Sequence, residues 1–349
     1  MDSCLPFITH GSPGREGPRL GTVQPDMGIF TALSQGDARA LGARFGLVVT
    51  GARGLDAGSV NTSYELTVEG GSRVFLRIYE GGSVASAERE ARLLAHLAER
   101  GVPTPRPLPL ASGGGSFVAE HAGKPAVVFP WIEGDVICQR GMTEAHARAV
   151  GEGLARVHLA GASFGEPLVT RFGPEDLAAR LAVLRERTDA PEHVQQLLPA
   201  LERQLDRLSR VSLGPTLPVI HADLFRDNAL FRDGALTALL DFESASSGAA
   251  AFDLMVTVLA WCFGDGLDRG LARALARGYS AVRALADDER AALHDAALFA
   301  TLRFTITRIT DYELRPRGVV AFKDYRRFVA RGAALSALSA RELAEMLGV

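Results

Sequence analysis

The sequence predicts an α+β protein of two lobes, a β-rich first lobe and a mainly helical second lobe with a cleft between them. Three observations carry this. Between about 47 and 129 the apolar residues alternate or run in short bursts, bounded by Gly and Pro, as strands require. After Pro130 they recur at helical spacing, as in Ala147, Val150, Leu154 and Val157. One stretch of the second part, 217–241, breaks that pattern with two short apolar strands around a polar loop. The expected division is a tail over 1–33, a first lobe over 34–129 and a second lobe over 130–349.

Residues 1–26 are rich in Gly and Pro, as in Gly11-Ser12-Pro13-Gly14, and lack apolar periodicity. Such a segment cannot bury enough surface to offset its ordering entropy. It reads as a disordered tail, or as sequence ahead of a natural start at Met27. Ser34, with Asp37 three residues on, predicts a helix N-cap and a helix to about Phe45. Tyr64, Leu66 and Val68 alternate in a strand over 61–68, Gly70-Gly71 signals a hairpin turn, and 74–79 reads as the returning strand. A helix over 84–100 ends at Gly101, a C-cap glycine. Pro103, Pro105, Pro107 and Pro109 impose an extended path. Strands follow near 117–119 and 126–129. In the second lobe Thr143 opens a helix, helical patterns dominate 176–209, and helices are expected to fill the chain after 241.

Composition narrows the function. The 349 residues are 47% hydrophobic and 23% charged, ordinary for a globular protein with a sizeable core. The 38 basic and 41 acidic residues give a net charge of −3, without the basic excess of a nucleic-acid binder. No apolar run reaches the roughly 20 residues of a membrane span, and the best, 249–263, is interrupted by Asp253. No secretory signal pattern opens the chain, so a cytoplasmic protein is expected, with no nucleic-acid or membrane partner, as monomer or homodimer. Cys4, Cys138 and Cys262 form no CxxC pair, which argues against a structural zinc site or a disulfide framework.

The chemistry concentrates in His221-Ala-Asp223-Leu-Phe-Arg-Asp227-Asn228, followed by an apolar run that ends at Asp241-Phe242. Phosphoryl transfer needs one carboxylate to orient the attacking hydroxyl and accept its proton. It also needs an amide oxygen and a second carboxylate to hold Mg²⁺ on the donor phosphates. An Asp and an Asn on one loop can face the same cavity, and an Asp after the next strand can face it from the hairpin's other side.

This set resembles the catalytic and metal-binding loops of the aminoglycoside/choline phosphotransferase superfamily. The resemblance implies a bilobal protein-kinase-like fold, ATP as phosphoryl donor and Mg²⁺ as its metal. Asp223 would be the catalytic base, Asn228 and Asp241 the metal ligands, and His221 a brace for the loop. On the nucleotide side, the segment 55–62 would cover the phosphates with Gly58, Ser59 and Asn61. Arg77 stands where protein kinases carry a phosphate-contacting Lys, with Glu90 as its partner. Trp131 lies at the expected hinge, as core or as cleft lining.

The resemblance narrows further, to homoserine kinases of this fold. It is carried by 151–161 with His158, by 221–228, by Asp253-Leu through Trp261-Cys262-Phe263, by Leu302-Arg303-Phe304 through Arg308, and by Asp311-Tyr312 and Lys323-Asp324. It implies phosphorylation of the hydroxyl of L-homoserine, a small amino-acid acceptor. Arg308 and Asp311, three apart on one helical face, would meet the acceptor's carboxylate and ammonium, or else pair with each other. Trp261 would wall the pocket or belong to the core, and His158 reads as structural. Other acceptors remain open, namely methylthioribose, an aminoglycoside or choline, as does a nucleotide-binding regulator without catalysis. Choline recognition favours aromatic faces, and aromatic residues are only 7% here.

Overall fold

The computed structural model of the chain describes residues 30–55, 60–314 and 323–349. Most of the expected tail, 1–29, lies outside the described residues, as do Gly58 and Ser59. The chain divides into two compact units, Met1–Ala95 with Pro105–Val136, and His96–Thr104 with Ile137–Val349.

In the first unit, α1 (Gln35–Arg44) begins at a reciprocal cap. Ser34 Oγ accepts the Asp37 N–H at 3.1 Å, and Asp37 Oδ2 accepts the Ser34 N–H at 3.3 Å. A five-stranded antiparallel sheet follows, built from β1 (Val49–Leu55), β2 (Thr62–Val68), β3 (Arg73–Ile78), β4 (Ala119–His121) and β5 (Lys124–Pro130), in the order β1-β2-β3-β5-β4. The β2–β3 turn uses Gly70 and Gly71 at φ 83° and 81°, a region that side chains disfavour. Tyr64, Leu66, Leu76, Ile78 and Val128 point to one face and close a core with Ala38 and Leu41 of α1. The segment just before α1 is tied to β2: Thr62 Oγ1 accepts the N–H groups of Phe30 and Thr31 at 2.9 and 3.1 Å, and Tyr64 Oη donates to the Thr31 carbonyl at 2.9 Å. The helix α2 (Val84–Glu99) follows β3 and gives way to Gly101 at φ 78°. The sequence places the division at 129/130, whereas 131–136 stay with the sheet. Arg73 lies 4.5 Å over the Trp131 ring and pairs with Glu133.

The second unit contains α3 (Glu144–Gly161), α4 (Pro174–Glu186), α5 (Glu192–Gln195) and α6 (Leu198–Leu208) before its β elements. These are β6 (Thr216–Ile220), β7 (Ala229–Arg232), β8 (Ala235–Leu239) and β9 (Ser246–Ala249). Then come α7 (Ala250–Trp261), α8 (Arg269–Val282), α9 (Asp287–Arg308), a π-helical turn over Ile309–Glu313, α10 (Arg326–Ser336) and α11 (Ala340–Leu347). Strand β9 corrects the expectation that only helices follow 241. Its Ser-Ser-Gly-Ala carries no apolar alternation, yet it pairs antiparallel with β6. Gly248 permits the approach, since a Cβ there would lie 2.4 Å from Ile220 Cδ1. The β7–β8 hairpin joins the two polar segments on either side of it. Every residue of α7 is buried. Among the described residues, no helix is long and apolar enough to cross a membrane.

Candidate active site

Strand β6 delivers the chain into the loop 221–228. Ala222 holds φ 63°, a conformation that costs a non-glycine residue about 1–3 kcal/mol. The compensation comes from Asp253 in the first turn of α7. Its Oδ2 and Oδ1 accept the backbone N–H groups of His221 and Ala222, each at 2.7 Å. Charge-assisted bonds of this kind are about twice as strong as neutral ones. Burial pushes the Asp253 carboxyl up, but the hydrogen bond and charge of His158, together with His221, outweigh it and hold the group below its ordinary value.

His221 braces the loop from the other side. Its Nδ1 accepts the Asp223 N–H at 3.3 Å, so its Nε2 carries the proton and donates to the Leu240 carbonyl at 3.0 Å. Its ring packs on Phe242, centroids 4.4 Å apart. The Asn228 carbonyl accepts the Leu240 N–H at 2.9 Å. Two ties thus fasten the 221–228 loop to the strand end that carries Asp241, which itself sits at φ 61°.

Within the loop, the Asp223 carbonyl accepts from the Phe225 N–H and from Asn228 Nδ2, both at 2.8 Å. With its amide nitrogen engaged there, Asn228 has its Oδ1 as the remaining donor atom for a cation. The Asp223 carboxylate accepts from Arg303 Nη1 at 3.1 Å. Burial pushes that carboxyl up, Arg303 and Lys323 pull it down, and Asp241 adds a like charge that raises it. Asp223, Asn228 and Asp241 are therefore gathered on two fastened segments.

The sequence pattern assigns Arg303 no role of its own, although Leu302-Arg303-Phe304 belongs to the resemblance. Its guanidinium is buried between the rings of Phe304 (3.7 Å) and Phe172 (4.1 Å), and burial pulls it down to about 10. It remains a cation at neutral pH.

The expected acceptor residues fall differently. Arg308 and Asp311 do not share an α-helical face, because α9 ends at Arg308 and the chain widens into the π turn. They do not pair with each other either. Arg308 Nη1 donates to the Asp324 carbonyl at 3.0 Å, and Asp311 pairs with Arg180 at 2.7 Å. Trp261 belongs to the core: it is fully buried at the end of α7, and its Nε1 donates to the Leu224 carbonyl at 2.9 Å. His158 is buried between Asp253 (2.9 Å) and Tyr279 Oη (2.6 Å).

In the first unit, Arg77 Nη1 lies 3.7 Å from Glu90 Oε1, with the rings of Phe75 and Tyr79 each 6.0 Å from its guanidinium. Buried Asn61 accepts the Glu80 N–H on Oδ1 at 3.1 Å. Gly58 and Ser59 lie outside the described residues.

The profile of the phosphotransferase enzyme family matches residues 51–285. A homoserine kinase of Gluconacetobacter diazotrophicus is 32% identical over 306 residues, 84% of this chain and 92% of that protein. One of Brucella ovis is 35% identical over 309 residues, 85% of this chain and 90% of that protein. Among solved structures, an amicoumacin kinase in complex with AMP-PNP, Ca²⁺ and Ami superposes with a TM-score of 0.61 at 18% identity. The match covers 83% of this chain and 89% of that one, and it shows the fold. The fold is thus α+β and protein-kinase-like, and the chain belongs to the phosphotransferase enzyme family, within the group that includes the homoserine kinases it matches.

Proposed function

We propose that this protein is a small-molecule kinase that transfers the γ-phosphoryl group of ATP to the hydroxyl of L-homoserine, giving O-phospho-L-homoserine and ADP. The observation that carries the chemistry is the fastening of Asp223, Asn228 and Asp241 on two adjoining segments. The near-full-length similarity to homoserine kinases supports the acceptor. In this reading the enzyme is cytoplasmic and serves threonine synthesis.

Asp223 orients the acceptor hydroxyl and takes its proton. The oxygen forms a bond to the γ-phosphorus as the bond to the bridging β,γ-oxygen breaks, and the electron pair leaves with ADP. Arg303 fixes the Asp223 carboxylate against rotation. Asn228 and Asp241 supply only oxygen donors, which suit a hard cation that completes its shell with phosphate oxygens and water. They would hold Mg²⁺, which when bound offsets the phosphate charge. Arg77 with Glu90, and Asn61, Gly58, Ser59 and Trp131, are assigned to the nucleotide. Protein and substrate positioning supply most of the rate, as in other phosphoryl transfers.

The test is ATP consumption with homoserine, methylthioribose, choline and an aminoglycoside in separate reactions. The reading expects homoserine-dependent ADP release with phosphohomoserine in the product. Turnover confined to another acceptor would reject it.

A further inference from the structure

Two cations, Arg308 and Lys323, stand beside the catalytic loop without a direct ion pair among the described residues. Arg308, the last residue of α9, makes its hydrogen bond to a neutral carbonyl, that of Asp324. Its guanidinium stacks on Phe328 at 4.5 Å and lies 5.8 Å from the ring of Phe225, whose N–H donates to the Asp223 carbonyl. The hydrogen bond to Asp324 holds the preceding residue, Lys323, near enough to Arg308 for the two charges to act on each other. The Lys323 ammonium lies 5.8 Å from the Tyr312 ring and makes no hydrogen bond or ion pair among the described residues. Nearby cations are matched: Arg303 by Asp223, Arg180 by Asp311, and Arg326 by Glu313 and Asp324. The carboxylates of Asp223 and Asp227 act on both charges without a direct ion pair to either, so the two partly desolvated cations keep N–H groups unmatched by an anion. An anionic ligand would complete them.

We propose that Arg308 and Lys323 together seat the carboxylate of the acceptor, with Lys323 a specificity-determining residue for the reaction. This rests on the homoserine kinase reading and deepens it. The donor phosphates are assigned to Asn228 and Asp241. Arg308 and Lys323 reach the loop from α9 and from the segment ahead of α10, so an oxyanion there belongs to the acceptor. A guanidinium with free N–H groups and an ammonium with three match the two oxygens of one carboxylate. The same pair repels cationic acceptors that lack a carboxylate, choline and aminoglycosides among them. Burial pulls Arg308 down to about 10, so it is charged at working pH. For Lys323, burial works downward but the charges of Asp227 and Asp223 prevail and hold it up.

The experiment compares wild type, Lys323→Met, Lys323→Arg and Arg308→Met in the full chain. The acceptors are L-homoserine and 3-aminopropan-1-ol, which keeps the hydroxyl and the amine but lacks the carboxylate. Lys323→Met is expected to raise the homoserine KM roughly 10–100-fold, the loss of one hydrogen bond to a charged group. It should leave the KM for ATP in place and shrink the preference for homoserine over 3-aminopropan-1-ol by the same factor. Lys323→Arg should restore most of that preference, and Arg308→Met should act in the same direction as Lys323→Met. An unmoved homoserine KM, an equal loss on both acceptors, or a rise confined to the ATP KM overturns the proposal. Failure of the wild type to phosphorylate homoserine would instead sink the functional reading beneath it, so the two failures are told apart.

Discussion

His158 donates from Nε2 to Oδ2 of Asp253 across 2.9 Å, and both side chains are closed to solvent. The same carboxylate holds the N–H groups of His221 and Ala222, so α3 and α7 jointly set the backbone on which Asp223 stands. The chain of bonds runs on. Tyr279 Oη donates to His158 Nδ1 at 2.6 Å and accepts from Arg283 Nη1 at 3.0 Å, while Arg283 Nη2 pairs with Glu289 at 2.6 Å.

Asp253→Ala leaves two buried N–H groups and His158 without their acceptor. Urea unfolding should show a loss of roughly 3–5 kcal/mol, the range for breaking a buried pair. The sign with pH follows from the depressed carboxyl: its contribution is complete above the ordinary value of 3.8 and fades as pH falls below it. Stability unaffected by the substitution would remove Asp253 from this role.

The α3–α8 contact depends on two glycines. A Cβ on Gly151 would sit 2.1 Å from the Leu275 carbonyl oxygen, and one on Gly278 would sit 2.2 Å from that of Arg148. Neither neighbour can yield, because both are backbone. Gly151→Ala should destabilise the protein by about 1–3 kcal/mol or more through overpacking. Thermal unfolding measures this, and a midpoint equal to wild type would contradict the contact.

Trp261→Phe removes one hydrogen bond to the Leu224 carbonyl and keeps an aromatic ring beside Phe231. The expected outcome is a stability loss of about 1 kcal/mol with the homoserine KM within twofold of wild type. A large rise in KM at constant stability would return Trp261 to the acceptor pocket.

Much of the fold is legible in the sequence because local chemistry decides it. Ser34 and Asp37 announce α1, Tyr64 and Leu66 alternate in β2, and Gly70-Gly71 turns the hairpin. The grouping of Asp223, Asn228 and Asp241 is readable because all three lie within one short stretch around a hairpin. What escapes depends on distant partners. Arg303 meets Asp223 from a separation of 80 residues. Asp253 is visible as a charge interrupting an apolar run and as part of the resemblance, but without its backbone ligands. The π turn after Arg308 leaves no mark in residue type, so the spacing of Arg308 and Asp311 misleads. Strand β9 consists of small residues whose pairing is set by β6 rather than by their own pattern.

Asp241→Ala removes one of the two oxygen ligands assigned to the metal. Binding of ATP titrated with and without Mg²⁺ should lose most of its metal dependence, while metal-free binding changes little. Retention of the full Mg²⁺ effect would reject the assignment.

The central claim is that Asp223 takes the acceptor's proton. Asp223→Asn keeps the volume and the loop but cannot act as a base. Steady-state homoserine phosphorylation should fall roughly 10²–10⁴-fold in kcat, with nucleotide affinity near wild type. A variant that turns over homoserine within a few-fold of wild type would contradict the account.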